Sequence, residues 1–137
     1  MTTISSHTQH ANMPQRILVV DDNTDAADSL VMLMKFSGHT AAAAHSAEAG
    51  LALAQSFQPD LVLLDIGLPV IDGYEVARRI RSLPALHGMR LFAVTAYSSM
   101  DHKRRAADVG FDAYLVKPID YDVLLEEVAN RNATLTW

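Results

Sequence analysis

The sequence predicts an α/β protein built on a doubly wound, five-stranded parallel sheet. Short apolar runs alternate along the chain with segments in which apolar residues recur at helical spacing. The apolar runs are continuous and bounded by polar or turn-forming residues, which is typical of strands buried on both faces. Strands that alternate with helices across short loops pair in parallel through right-handed crossovers.

Each strand prediction has its own basis. The expected strands are residues 16–20, 40–44, 61–64, 91–94 and 114–116. Four of them are rich in Val, Leu, Ile or aromatic residues, which favour strands. The run 40–44 is mostly alanine, which has little β preference, so only the alternation of elements supports it.

The helices are predicted from their start and stop signals. We expect helices over residues 24–37, 46–57, 73–81 and 101–109, and a last one that begins after residue 120. Their starts are marked by Asp22 with Asn23, and by Ser46, Asp72, Asp101 and Asp120. Gly38, Pro84 and Gly110 mark ends. The expected buried stripes are Ala27, Leu30, Val31 and Met34 in the first helix, and Val123, Leu124 and Val128 in the last.

Length and composition indicate one domain. The chain has 137 residues, a net charge of −5 and no cysteine, which excludes disulfides and thiolate metal sites and disfavours non-specific nucleic-acid binding. No apolar run is long enough to span a membrane and no signal peptide is apparent, so we expect a cytoplasmic protein. The expected organisation is a polar leader over residues 1–15, one domain over 16–130 and a short tail over 131–137. His7 and His10 in the leader are better explained by a disordered segment than by a metal pair.

Polar side chains follow four of the predicted strands. Asp21 and Asp22 follow the first, Asp65 the third, Thr95 the fourth and Lys117 the fifth. The carboxyl ends of parallel strands meet at one edge of the sheet, where such folds place their ligand sites. Helix capping, β preference and a solvated strand end are ordinary explanations for each residue alone, but their joint occurrence favours a site.

This set of residues predicts magnesium-assisted phosphoryl chemistry. Neighbouring carboxylates remain charged together only if a cation lies among them, and oxygen ligands favour Mg²⁺. One of the three acids can then act as nucleophile toward a phosphoryl group. The ammonium of Lys117 and the hydroxyl of Thr95 would stabilise the phosphoryl oxygens.

The chain resembles the receiver domains of two-component response regulators from about Arg16 to Ala129. The resemblance lies in Asp21-Asp22, in Asp65 with Leu68-Pro69 and Asp72-Gly73, in Thr95-Ala96 and in Lys117-Pro118. It implies a flavodoxin-like fold with strand order 2-1-3-4-5 and phosphorylation of Asp65 by a phosphohistidine of a histidine kinase or histidine phosphotransfer protein.

The resemblance also implies roles for the surrounding residues. Mg²⁺ would be held by Asp22, Asp65 and the backbone carbonyl of Gly67, with Asp21 assisting through water. Lys117 would contact the phosphoryl group, with a cis bond to Pro118. Tyr114 would move between exposed and buried positions as Thr95 moves. Ala96, Tyr97 and Pro118 would shape the site; Tyr97 either leans over the phosphoryl group or is an ordinary surface tyrosine.

The sequence therefore predicts a stand-alone signalling switch rather than an enzyme, with only self-phosphorylation from small donors and autodephosphorylation as activities. We expect a downstream protein to bind the face formed by the fourth helix, the fifth strand and the fifth helix, and neither nucleic acid nor membrane. One alternative is an aspartate-nucleophile phosphatase of the haloacid dehalogenase type, which needs a second acid where this chain has Gly67. Another is a degenerate receiver that acts only as a binding module, although every expected site residue is present.

Overall fold

The computed structural model describes residues 14–86 and 88–130. Its strands are β1 (Arg16–Val20), β2 (Thr40–Ala44), β3 (Leu61–Leu64), β4 (Arg90–Thr95) and β5 (Ala113–Val116). Its helices are α1 (Thr24–Phe36), α2 (Ala47–Phe57), α3 (Gly73–Arg81), α4 (Met100–Val109) and α5 (Tyr121–Ala129), with a 3₁₀ turn at Pro84–Leu86. Residues 1–13 of the expected leader, with His7 and His10, and the expected tail 131–137 lie outside the described residues.

The five strands form one parallel sheet in the order β2-β1-β3-β4-β5, so the predicted fold class and strand order are confirmed. The alanine-rich β2 pairs with β1 residue for residue. It forms a strand despite its composition because the neighbouring strand supplies a complete backbone partner.

Helices cover both faces of the sheet. On one face, side chains of α2, α3 and α4, including Ala54, Ile80 and Ala106, pack on Leu18, Leu64 and other strand residues. On the other face, α1 and α5 contribute Leu30, Met34, Leu124 and Val128 to a second apolar cluster. Within the described part of the chain, no helix has the length and apolar character needed to cross a bilayer.

Three details of the helix predictions differ from the structure. The last helix buries Leu124 and Val128, which are four residues apart, but Val123 is 41% exposed because it points about a quarter turn away from that stripe. Helix α4 begins at Met100 rather than Asp101, since the side chain of Ser99 accepts a hydrogen bond from the backbone N–H of His102 and caps the helix. Val31, also expected in a buried stripe, is only partly buried.

A buried polar network closes the edge of the sheet opposite the strand carboxyl ends. Gln15, placed by the sequence in the leader, is buried, and its side-chain amide donates to the carbonyl of Val128 in α5 at 2.8 Å. The backbone N–H of Gln15 donates to Nδ1 of His39 at 3.1 Å. Burial and the nearby charge of Arg90 lower the pKa of His39. The imidazole is therefore held neutral as a hydrogen-bond acceptor.

Candidate functional site

The three predicted acids meet at the carboxyl edge of the sheet. Strands β1 and β3 are neighbours in which Val20 is paired with Leu64, and the next residue, Asp65, donates its backbone N–H to the carbonyl of Val20 at 3.0 Å. Carboxylate oxygens of Asp21, Asp22 and Asp65 all lie within 4.8 Å of one another. Asp21 is buried, Asp65 is partly buried and Asp22 is exposed, so the cluster opens to solvent on the side of Asp22.

Lys117 bridges two of these acids. Its Nζ lies 2.7 Å from Oδ2 of Asp21 and 3.3 Å from Oδ2 of Asp65. Burial alone would lower the pKa of Lys117, but the hydrogen bond that its ammonium donates to Asp21 and the charges of both acids outweigh burial and raise the pKa above its usual value. The ammonium is therefore charged at neutral pH and faces Asp65. The peptide bond from Lys117 to Pro118 is cis, as expected.

The loop after β3 is shaped by tight backbone contacts. The N–H of Gly67 donates to Oδ1 of Asp65 at 2.9 Å, which fixes the carboxylate on that side. Gly73, at the start of α3, packs against this loop, and a Cβ there would lie 2.5 Å from the carbonyl oxygen of Asp65. Only glycine permits this approach. Between them, Val70 is fully exposed with a φ of +70°, and the N–H of Ile71 donates to the carbonyl of Pro69 at 2.8 Å in a γ-turn.

Thr95 and Tyr114 lie on neighbouring strands behind the acids. Thr95 ends β4 and is buried, and its hydroxyl oxygen accepts a weak hydrogen bond of 3.4 Å from the backbone N–H of Tyr97. Tyr114 on β5 is 7% exposed and donates its hydroxyl to the carbonyl of Tyr97 at 2.8 Å. Burial and nearby ionisable groups raise the pKa of Tyr114 to about 12. In this structure Tyr114 therefore has the buried position and is tied to the loop after β4.

That loop also brings Tyr97 to the mouth of the site. The sequence offered two interpretations of Tyr97, and its position favours the one in which the side chain leans toward the acids. The Tyr97 hydroxyl lies 3.3 Å from the position that a Cβ on residue 67 would occupy. The ring is 43% exposed, so its outer side faces solvent. Ala96 and Pro118 are exposed at the same edge of the sheet.

Helix α4 belongs to the face on which a partner protein is expected to bind. Met100 is 68% exposed, and the exposed Arg104 pairs with Asp101 of the same helix at 3.2 Å. Lys103 is partly buried. Asp72, part of the motif that carries the resemblance, lies outside the acidic cluster, since its side chain caps α3 by accepting from the N–H of Glu75 at 3.0 Å.

An aromatic group that was not predicted lies next to the site. The imidazole of His102 stacks on Tyr97 with 4.4 Å between ring centroids and lies parallel to Tyr74, whose hydroxyl is 2.6 Å from Nδ1 of His102. Tyr74 and His102 are 28 residues apart in sequence. Their contact follows from the packing of α3 beside α4, for which the local sequence gives no signal.

Comparisons with known proteins place this arrangement in context. The family model described as the response regulator receiver domain matches residues 17–129. The virulence sensor protein BvgS of Bordetella bronchiseptica is 40% identical over 129 residues, which is 88% of this chain and 10% of that protein. The response regulator MprA of Mycolicibacterium vanbaalenii is 37% identical over 113 residues, which is 82% of this chain and 48% of that protein.

Solved structures give the same picture. A CheY-like response regulator receiver domain protein from Methanospirillum hungatei JF-1 has a TM-score of 0.80 at 34% identity, over 85% of this chain and 92% of that one. The chemotaxis protein CheY4 of Vibrio cholerae has a TM-score of 0.79 at 25% identity, over 82% and 94% of the two chains. The first curated relatives are much longer proteins, of which this chain spans 10% to 13%.

Proposed function

This chain belongs to the response regulator receiver domain family, and from that premise we propose that it accepts a phosphoryl group on Asp65 and changes conformation in response. Receiver domains are signalling switches, and their upstream partner is a histidine kinase. The observation that carries the assignment of Asp65 is its position between a bridging ammonium and two further carboxylates at the carboxyl edge of the central strand.

The donor set fits a magnesium ion. Receiver domains typically bind Mg²⁺, and the described cluster offers only carboxylate oxygens, the ligands that a hard cation prefers. We propose that Asp22, Asp65 and the backbone carbonyl of Gly67 hold the ion directly and that Asp21 assists through water. When bound, the ion neutralises charge on the phosphoryl oxygens.

The chain's own residues would then perform the transfer. One carboxylate oxygen of Asp65 forms a bond to phosphorus while the bond from phosphorus to the donor's imidazole nitrogen breaks, and that nitrogen keeps the electron pair. Lys117 already lies 3.3 Å from the acceptor carboxylate, so its charge is in place to stabilise the transferred group. The donor would be a histidine kinase or a histidine phosphotransfer protein.

We propose that the signal leaves through Thr95 and Tyr114. A phosphoryl group on Asp65 adds oxygens that accept the hydroxyl of Thr95, and that movement would bias the position of Tyr114 and of the loop after β4. This loop leads directly into α4, whose exposed Met100 and Arg104 lie on the expected partner face with β5 and α5. A downstream protein is the proposed partner of that face.

Other functions are less well supported. A phosphatase of the haloacid dehalogenase type requires a second acid two residues after the nucleophile, and Gly67 offers none. A purely binding role leaves the bridging lysine and the three acids unexplained. We propose that residues 16–130 act as one receiver domain in the cytoplasm, without contact with nucleic acid or membrane, in line with the net charge of −5.

Phosphorylation from a small donor tests the assignment. We expect wild-type protein incubated with acetyl phosphate and Mg²⁺ to gain the mass of one phosphoryl group, and Asp65→Asn to gain none. Asp72→Asn is the matched control, because it changes an acid of the same loop to a residue that still caps α3. An equal mass gain in wild type and Asp65→Asn, or loss of the gain in the Asp72 variant alone, would contradict the assignment.

A further inference from the structure

The aromatic group beside the site connects the first turn of α3 with the loop after β4 and the helix that this loop enters. His102 lies in the first turn of α4, Tyr97 in the loop after β4, and Tyr74 in the first turn of α3. The imidazole stacks on the Tyr97 ring with an angle of 21° between the ring planes and is within 2° of parallel to the Tyr74 ring. His102 therefore contacts Tyr97 through the face of its ring and Tyr74 through a hydrogen bond at the edge of its ring.

Tyr74 is held by burial, hydrogen bonds and a contact with a guanidinium. Tyr74 is 2% exposed, and its hydroxyl is bonded to Nδ1 of His102 at 2.6 Å and to the backbone carbonyl of the same residue at 3.2 Å. The guanidinium of Arg105 lies 4.1 Å from the centre of the Tyr74 ring. The preceding residue, Gly73, is packed against the backbone of Asp65. Because Tyr74 is anchored in this way, His102 has a fixed support.

The Tyr97 side borders the acceptor residue. The point where a side chain on Gly67 would begin is 3.3 Å from the hydroxyl of Tyr97 and 3.6 Å from Oδ1 of Asp65. The tyrosine hydroxyl and the acceptor carboxylate thus face the same small space, which is open only because residue 67 has no side chain. With 43% of Tyr97 exposed, the ring needs a partner on its inner face to stay in this position.

We propose that His102 is a positioning residue for the reaction at Asp65. By stacking on Tyr97, it holds the phenol against the acceptor loop, where the ring covers one side of the acceptor carboxylate. This inference rests on the proposed role of Asp65 as phosphoacceptor. His102 does not touch the reacting atoms and acts through Tyr97.

The consequence concerns the lifetime of the phosphorylated state. In its hydrolysis, a water oxygen bonds to phosphorus while the bond to the Asp65 carboxylate breaks; the carboxylate leaves with the electron pair, and the water's protons pass to phosphate and solvent. A ring held over one side of the acceptor limits the approach of that water. Releasing the ring should therefore speed the loss of the phosphoryl group.

Two substitutions at residue 102 distinguish its stacking on Tyr97 from its hydrogen bond with Tyr74. His102→Gln keeps a polar partner for the Tyr74 hydroxyl but removes the ring, whereas His102→Phe keeps the ring and leaves the hydroxyl its bond to the backbone carbonyl of residue 102. Nuclear Overhauser effects between the Tyr97 ring and Gly67, measured without any phosphoryl donor, should be present in wild type and His102→Phe and absent in His102→Gln. Their persistence in His102→Gln, or their loss in His102→Phe, would overturn the proposal.

The rate of phosphoryl loss provides the functional readout. We expect His102→Gln to lose the group at least about three-fold faster than wild type, and the same substitution to have no further effect in a Tyr97→Ala background, since His102 acts through Tyr97. An equal acceleration in both backgrounds would show a merely structural role and overturn the proposal. If wild-type protein takes up no phosphoryl group, the proposed function fails, while the spectra still decide whether His102 positions Tyr97.

Discussion

Substitution of Asp22 by alanine should have opposite effects on stability with and without Mg²⁺. Among the described residues, the acidic cluster holds three carboxylates within 4.8 Å of one another and one ammonium, which contacts Asp21 and Asp65. At about 4.8 Å, two unit charges repel by about 0.9 kcal/mol in water and about 3.5 kcal/mol at an effective dielectric constant of about 20. Because Asp22 is exposed, we use the lower value. Asp22→Ala should therefore raise the free energy of unfolding by about 1 kcal/mol without metal.

With Mg²⁺ bound, wild type should instead be more stable than Asp22→Ala. An ion bound only by the folded protein stabilises it by about 2.7 kcal/mol at a concentration about a hundredfold above its dissociation constant. Wild type should gain this increment, and Asp22→Ala should lose most of it along with a direct ligand. The assay is urea unfolding followed by circular dichroism in EDTA and in Mg²⁺. Asp25→Ala, which removes an exposed acid outside the cluster, should keep the wild-type increment. Equal magnesium stabilisation of wild type and Asp22→Ala would show that Asp22 is not a ligand of the ion.

Three further predictions follow from the structure. Val70→Asn should stabilise the fold by about 1 kcal/mol in urea unfolding, because asparagine tolerates the positive φ and exposed Val70 loses no packing; unchanged stability would contradict the strain. The pKa of His39 is lower in the folded protein than in the unfolded chain, so the unfolded chain takes up this proton at a higher pH. The free energy of unfolding should therefore fall as the pH drops below the ordinary histidine value of about 6.5. The loss of stability that is due to His39 should be absent in His39→Gln and present in the control His45→Gln. An identical pH profile of stability for wild type and His39→Gln would be evidence against a role of His39. Thr95→Ala should still be phosphorylated, yet amide hydrogen exchange of residues 100–114 should no longer respond to beryllofluoride; a response as strong as in wild type would rule out this coupling route.

Much of the candidate site could be predicted because it depends on strand ends. Once the strands are parallel, Asp21, Asp65 and Lys117 must reach the same edge of the sheet, and the structure places them within bonding distance. The alternation of strands and helices also predicted the alanine-rich strand β2, which pairs with β1 in the structure. These features follow from chain order and strand polarity, which the sequence records directly.

Features that depend on competition between neighbouring residues were less predictable. Ser99 and Asp101 are both good helix caps, and only the exit path of β4 decides that Ser99 starts α4. Val123 and Leu124 are adjacent apolar residues, and the rotation of α5 on the sheet decides which one is buried. The contact between Tyr74 and His102 depends on how two helices pack, so no local pattern could indicate it.

The chemical identity of the modified residue tests most directly whether Asp65 is the phosphoacceptor. Protein phosphorylated by acetyl phosphate with Mg²⁺ can be reduced with borohydride, which converts an aspartyl phosphate to homoserine, and then digested for peptide mass spectrometry. We expect homoserine at residue 65 and at no other aspartate, with the signal dependent on Mg²⁺. Homoserine at residue 21 or 22, or unmodified Asp65 in protein that carries a phosphoryl group, would contradict this expectation.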